Sequence, residues 1–432
     1  MTAYIRFLWA RLNANYWFYP ALFAIIGMLL AILMCWIDAN GFARPLVEAP
    51  WFVAVRPQGA LTILSMMAGS MIGVAATVFS ITIAAVAYAS GNYGPRLLTN
   101  FMEDRGNQLS LATLIGTFVY ALVVLRAVRV AEETASSTVI GYVPQASLVV
   151  AYILLGLCVA VLVFFLHHIP SSIRINTVLE GIGKRLLATI CETYPRDDNY
   201  CEPESSRGGE TLDAPVAGYV QLIDFGGLEQ AARDKGCVIS LRVRTGDFVH
   251  RGVPLMDVAG AEPEALAEAV RTCFTFGPVR TPEQDPQFLI DELVEIALRA
   301  LSPGINDPFT AINALHWLGA ATAEIARRDL RRNVCEDGAK DCPVLPLPDN
   351  FEHFVQRGFG GIRSAAATSP IAAQIMLQTM ENVARPITDA ARRAVLRRQG
   401  ALLGQQARLA LDGPDLALIE ERLGEFEAYF AG

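Results

Sequence analysis

The chain has 432 residues, 53% of them hydrophobic and 18% charged, with a formal net charge of −8. The first 169 residues carry 8 Arg or Lys against 6 Asp or Glu, and the other 263 carry 27 against 37, so an apolar half precedes an acidic one long enough for one or two buried cores. That balance argues against a nucleic-acid partner, which needs a concentrated basic face.

Four stretches without a charged residue, 12–37, 57–95, 106–125 and 134–173, each reach the roughly 20 residues that cross a hydrocarbon core. The fold class expected is therefore mainly α: a four-helix transmembrane domain over 1–169, then a cytoplasmic α-helical domain with a small inserted β-module. Arg6 and Arg11 with Trp9, Tyr16, Trp17 and Tyr19 suit an N-terminal interfacial helix rather than a removable signal. Arg6, Arg11, Arg96, Arg105, Arg174, Lys184 and Arg185 fall on one side of the spans, against Arg44, Arg56, Arg126 and Arg129 on the other. The positive-inside rule then puts both termini in the cytoplasm, with the lipid bilayer as the first partner.

The first and fourth spans read as lipid-facing. In the second, Thr62, Ser65, Gly69, Gly73, Thr77 and Ser80 recur at three- and four-residue steps and share one face. Such a face either lets another backbone approach closely or lines a narrow pore with hydroxyls. No Asp, Glu, Lys or Arg interrupts a span, so the intramembrane relay of many ion-coupled pumps has no counterpart. Arg126 and Arg129 with Glu132 and Glu133 read as a solvated end of the third span or a vestibule ring. His167 and His168 close the fourth at the inner face.

Beyond Pro170, Ile175, Val178, Leu179, Ile182, Leu186 and Ile190 keep helical spacing, which predicts a stalk helix over 170–194 and a linker over 195–212. A β-module follows over 213–260, where VAGYV and GDFV alternate apolar and polar residues between glycine turns. These strings resemble the half-barrel of biotinyl and lipoyl carrier modules, with a helical insertion near Gly227–Lys235 and no modifiable lysine tip; a contact with a protein partner is the role left to it. The remaining 261–432 reads as helical. There Asp307 and Pro308 suit an N-cap and first helical position, while Arg280, Asp285, Ser302, Asn306 and Asp307 form a candidate polar turn for an ion or small anion. Arg392, Arg393, Arg397 and Arg398 make a basic face, either solvated or turned to anionic lipid. Eight scattered cysteines, Cys335 and Cys342 the closest pair, read as free thiols of a reducing cytosol.

The pieces VFSITIAAVAYASGNYGPRLL (78–98), GDFV and GPVRTPEQDPQFLIDELVEIALRALSPGINDPFTA (277–311) resemble a family of bacterial predicted membrane proteins defined as a domain of unknown function. The resemblance spans nearly the whole chain and implies an inner-membrane architecture without an assigned activity. No nucleophile elbow, phosphate loop or metal-ligand spacing occurs, and GFGG at 358–361 is too short for a phosphate loop. The chain is therefore expected to be no enzyme, with no cofactor and no metal. Two readings remain: a homo-oligomeric channel or passive transport protein gated or assembled by its cytoplasmic domain, and a membrane-anchored scaffold or sensor.

Overall fold

A computed structural model describes residues 15–43, 45, 53–94, 104–130, 132–134, 137–139, 142–194, 208–330, 334 and 342–431. Most of the expected interfacial helix (1–14), Cys335 and positions 195–207 of the expected linker 195–212 lie outside them, and the end of that linker belongs to a strand that begins at Glu210. Two compact units meet between Arg174 and Ile175.

The first unit holds α1 (Phe18–Ala39), α2 (Pro57–Tyr93), α3 (Arg105–Ala127) and α4 (Gln145–Ser172), each long and apolar enough to cross a membrane. At 37 residues α2 runs about 55 Å at 1.5 Å per residue, well beyond a hydrocarbon core of about 30 Å. The central helix is α3, which packs on the other three and has 61% of its spanning window buried, against 17% in α1 and 22% in α4. Its Asn107, Gln108, Ser110 and Thr117 are buried inside the bundle, since lipid would leave such groups without partners. Where α1 crosses α3, Gly27 meets Gly116; a Cβ on Gly116 would lie 2.9 Å from the carbonyl oxygen of Phe23.

Polar side chains fasten the helix ends. Asp38, at the end of α1, accepts the first amides of α4, Ala146 N at 3.0 Å and Ser147 N at 2.9 Å, and also the Ser147 hydroxyl at 2.7 Å. Gln145 makes a two-way bond to the backbone of Val55, ahead of α2. At the opposite end Asp104 caps α3 through Gly106 N (2.7 Å) and meets His168 Nε2 of α4 at 2.8 Å. Thus His168 is an interhelical partner, which its position at a span end did not reveal. The third span also ends earlier than its charge pattern suggested. After Ala127 the chain turns to β1 (Glu132–Thr134), paired antiparallel with β2 (Ser137–Val139), so Glu132 and Glu133 lie on a hairpin rather than a helix end.

The second unit opens with α5 (Ile175–Thr193), the helix expected as a stalk. Its stripe of Leu179, Ile182, Leu186 and Ile190 is buried against α8 (Pro286–Ala300) and α9 (Pro308–Ile325). Helices α5 and α9 run parallel: Asn313 Nδ2 donates to Asn176 Oδ1 near their starts (2.9 Å), Gly183 makes room for Trp317 midway, and Arg328 donates to the Tyr194 carbonyl beyond their ends (2.9 Å).

Two small sheets form the β-module. One has the order β3 (Glu210–Asp213), β7 (Pro254–Ala259), β5 (Val238–Leu241) and β9 (Val344–Leu345); the other has β6 (Phe248–Val249), β4 (Gly218–Ile223) and β8 (Phe274–Gly277). The helical insertion is α6 (Phe225–Lys235), capped by Asp224 and closed by Gly236 at φ +64°. A short α7 (Ala267–Cys273) precedes β8. Because β8 and β9 pair with strands of the module, it draws on chain far beyond the 213–260 read from sequence. Helices α10 (Phe351–Val355), α11 (Gly361–Ala366), α12 (Pro370–Ala384), α13 (Ala390–Ala410) and α14 (Gly413–Ala431) complete the unit.

Candidate functional site

In α2 the residues at core spacing are Leu64, Met67, Ala68, Met71, Ala75 and Val78, all buried. The small and hydroxylated face is the other one. Thr62, Ser65, Gly69, Gly73, Thr77 and Ser80 are exposed on the chain's own surface, and a Cβ on Gly69 or Gly73 would meet nothing within 4 Å among the described residues. Thr62, Thr77 and Ser80 donate to the carbonyls of Gln58, Gly73 and Ala76 one turn back, and Ser65 to that of Thr62. Such back-bonding uses up the donors and leaves a slim, acceptor-bearing face.

The candidate polar turn divides into two. Arg280 and Asp285 stand at the start of α8, whereas Ser302, Asn306 and Asp307 follow its end, one helix of about 22 Å away. Asp307 caps α9, accepting Thr310 N at 3.2 Å and Thr310 Oγ1 at 2.6 Å, which is the structural role its place before Pro308 suggested.

At the other end lies a buried ionic seam. Arg280 Nη2 donates to Asp285 (2.6 Å) and its Nη1 to Asp291 (2.5 Å), while Arg357 binds Asp291 through Nε (2.6 Å) and Nη2 (2.7 Å). Gln287 accepts from Arg357 Nη1 at 3.0 Å and lies 3.3 Å from His353 Nε2. Gly246, at φ +93°, sits directly on the Asp285 carboxylate where any side chain would collide with it. Nearby Asp349 receives Arg244 (2.5 Å) and the Tyr194 hydroxyl (2.6 Å). The seam therefore joins the β-module, α5, α8 and α10.

Burial pushes the Asp285 carboxyl above the usual aspartate range despite Arg280. For Asp291 burial acts the same way but is outweighed by Arg357 and Arg280, and its pKa falls. Carboxylates engaged in this way hold elements together; they do not present a free base. No His, Cys, Asp and Glu cluster among the described residues has metal-binding geometry. An open cleft of about 500 Å³ lies beside α5, lined by Thr189, Glu192, Phe225 and Glu283 among others.

Other motifs resolve into packing. Gly358 and Gly361 approach Leu318 and Val294, so GFGG serves helix contact. The basic face of α13 is engaged: Arg392 and Arg393 donate to the carbonyls of Ala326 and Ala384, Arg397 pairs with Glu427 (2.7 Å) and Arg398 with Glu352. Lipid headgroups would have to displace these bonds. Among the thiols Cys35, Cys158, Cys191, Cys237 and Cys273 are free, as expected; Cys342 is disulfide-bonded, which the reading of free thiols missed.

Comparison with known proteins agrees with the architecture. Uncharacterized proteins of Mycobacterium tuberculosis (strain H37Rv) and Mycobacterium bovis are each 30% identical over 376 residues, covering 84% of this chain and 71% of theirs. An AMP phosphorylase of Hyperthermus butylicus is 33% identical over 109 residues, 23% of this chain and 22% of that enzyme. No solved structure matches. The family model described as predicted membrane protein DUF2254 matches residues 13–382, and with four membrane-length helices ahead of a helical unit bearing small sheets, the chain belongs to that family.

Proposed function

We propose that the chain is a subunit of a homo-oligomeric channel or passive transport protein, without enzymatic activity, whose second unit assembles or gates it. The observation that carries this reading is the face of α2 from Thr62 to Ser80, small, hydroxylated and uncovered by the described residues of its own chain. Four spans enclose little space, so a path requires several copies. Satisfied hydroxyl donors also suit a face resting against a neighbouring helix or in lipid, and this keeps a second reading: a membrane-anchored scaffold or sensor.

Gly73→Leu separates them. In a packing interface the added volume lowers the oligomer order; on a water-lined face the oligomer persists with its solute flux blocked. Thr77→Cys, mapped by mass spectrometry after treatment with a water-soluble maleimide, is labelled in the channel case. An unchanged oligomer and flux in Gly73→Leu, with position 77 unlabelled, sinks the channel.

We further propose a bacterial inner-membrane location with cytoplasmic termini, on the strength of the positive-residue count. The Cys342 disulfide pulls the other way, since such bonds persist in oxidising compartments. Exposed Cys191 decides between them. An impermeant maleimide is expected to label it in inverted vesicles and not in spheroplasts; the reverse pattern places the second unit outside.

A further inference from the structure

The loop joining α8 to α9 carries ALSPGINDPF, of which helix capping explains only Asp307 and Pro308. Ile305 is 48% exposed and Phe309 67%, two large apolar side chains four residues apart on one loop. The only charge between Leu301 and Ala314 is Asp307, and both its oxygens are occupied by Thr310. Four main-chain amides are bonded within the turn: Ser302 N to Arg299 O, Ile305 N and Asn306 N to Ser302 O, and Asp307 N to Ala300 O, at 2.8 to 3.1 Å. Asn306 adopts φ +49° to close this turn. A loop built in this way presents two apolar side chains while bonding most of its own polar groups, which lowers the cost of entering the interfacial region.

Its place in the second unit indicates which medium. α9 is parallel to α5, with Asn313 hydrogen-bonded to Asn176, so the first turn of α9, and the loop before it, stand beside the first turn of α5. Ile175 follows the last residue of the spanning helix α4 by three positions, at most about 11 Å of extended chain. A tether this short limits how far Ile175 can stand from the end of α4, on whichever side of the membrane that lies.

We propose that Ile305 and Phe309 insert into the interfacial region of the phospholipid bilayer and hold the loop there. Interfacial segments of this kind set an aromatic and an aliphatic side chain at headgroup level. The proposal depends on the spans crossing a membrane and not on a channel.

The full-length chain in phosphatidylcholine and phosphatidylglycerol vesicles containing a phospholipid with a photoactivated carbene near its headgroup gives the test. After irradiation and digestion, the peptide bearing 301–309 is expected to carry lipid adducts several-fold more often than the peptide bearing Glu192, which lies about 24 Å further along α5. In Ile305→Ser/Phe309→Ser, both changes on exposed positions, the excess should disappear. Equal labelling of the two peptides overturns the proposal. So does a benzophenone amino acid at 309 that crosslinks to a second copy of the chain in place of lipid.

Discussion

Gly116→Leu is expected to unfasten α1 from α3 and to lower the midpoint of SDS-induced unfolding of the purified chain. A Cβ at 116 would lie 2.9 Å from the carbonyl oxygen of Phe23, and one at Gly27 would run into the Gly116 carbonyl. Both obstacles are backbone, so no rotamer change relieves them and the helices must separate. Overpacking costs about 1–3 kcal/mol where side chains can give way, and a backbone obstacle belongs at or above the top of that range. Separation also spreads the crossing that small residues permit. Gly156→Leu in α4 is the control, since a Cβ there would meet nothing within 4 Å among the described residues. An unchanged midpoint for Gly116→Leu refutes this account of the crossing.

The contrast between these glycines shows what the sequence can and cannot say about a membrane bundle. Both kinds stand in apolar helices, and the recurrent small residues of α2 drew the eye, yet the pair that lets backbones touch inside the chain is one glycine in α1 and one in α3. Periodicity identifies a face without naming its partner, because small-residue faces pack equally well within a chain and between chains. The four spans were legible because lipid imposes a length and a polarity that no soluble helix shares. The centrality of α3 was not read, although its Asn107, Gln108, Ser110 and Thr117 are the signal for it: polar groups in a span point away from lipid. Asp38 and Asp104 flank the spans, and their place in the sequence does not show that each receives another helix's polar groups.

In the second unit, local chemistry was legible and long-range pairing was not. Asp307 before Pro308 and the break at 302–304 follow from capping and turn preferences and need no knowledge of distant chain. Strands β8 and β9 and the pairing of Arg357 with Asp291, 66 positions before it, depend on distant chain, and period-2 patterning in two- or four-residue strands is too short to register. Grouping Arg280 and Asp285 with Ser302, Asn306 and Asp307 treated closeness in sequence as closeness in space, which an intervening helix of 15 residues forbids.

The seam gives the second large effect. Asp291→Ala removes the acceptor for one bond from Arg280 and two from Arg357, in a place where Arg280 is 13% and Arg357 30% exposed. Breaking a buried pair by deleting one partner typically costs about 3–5 kcal/mol, because the surviving charge stays desolvated. Here Arg280 keeps Asp285 and Arg357 is partly solvated, so a loss of about 3 kcal/mol is expected in urea unfolding of the second unit, measured in the full-length chain. Asp291→Asn should lose less, since it retains an acceptor for one guanidinium. The consequence reaches beyond stability, as Arg280 follows β8 while Asp291 and Arg357 belong to the helices. Hydrogen exchange should therefore rise together in the Arg244–Asp247 turn, at Arg280 and along α8, as the β-module loosens from the helical part. If Asp291→Ala unfolds at the native urea midpoint, or exchange rises in α8 alone, the seam is not what joins the two.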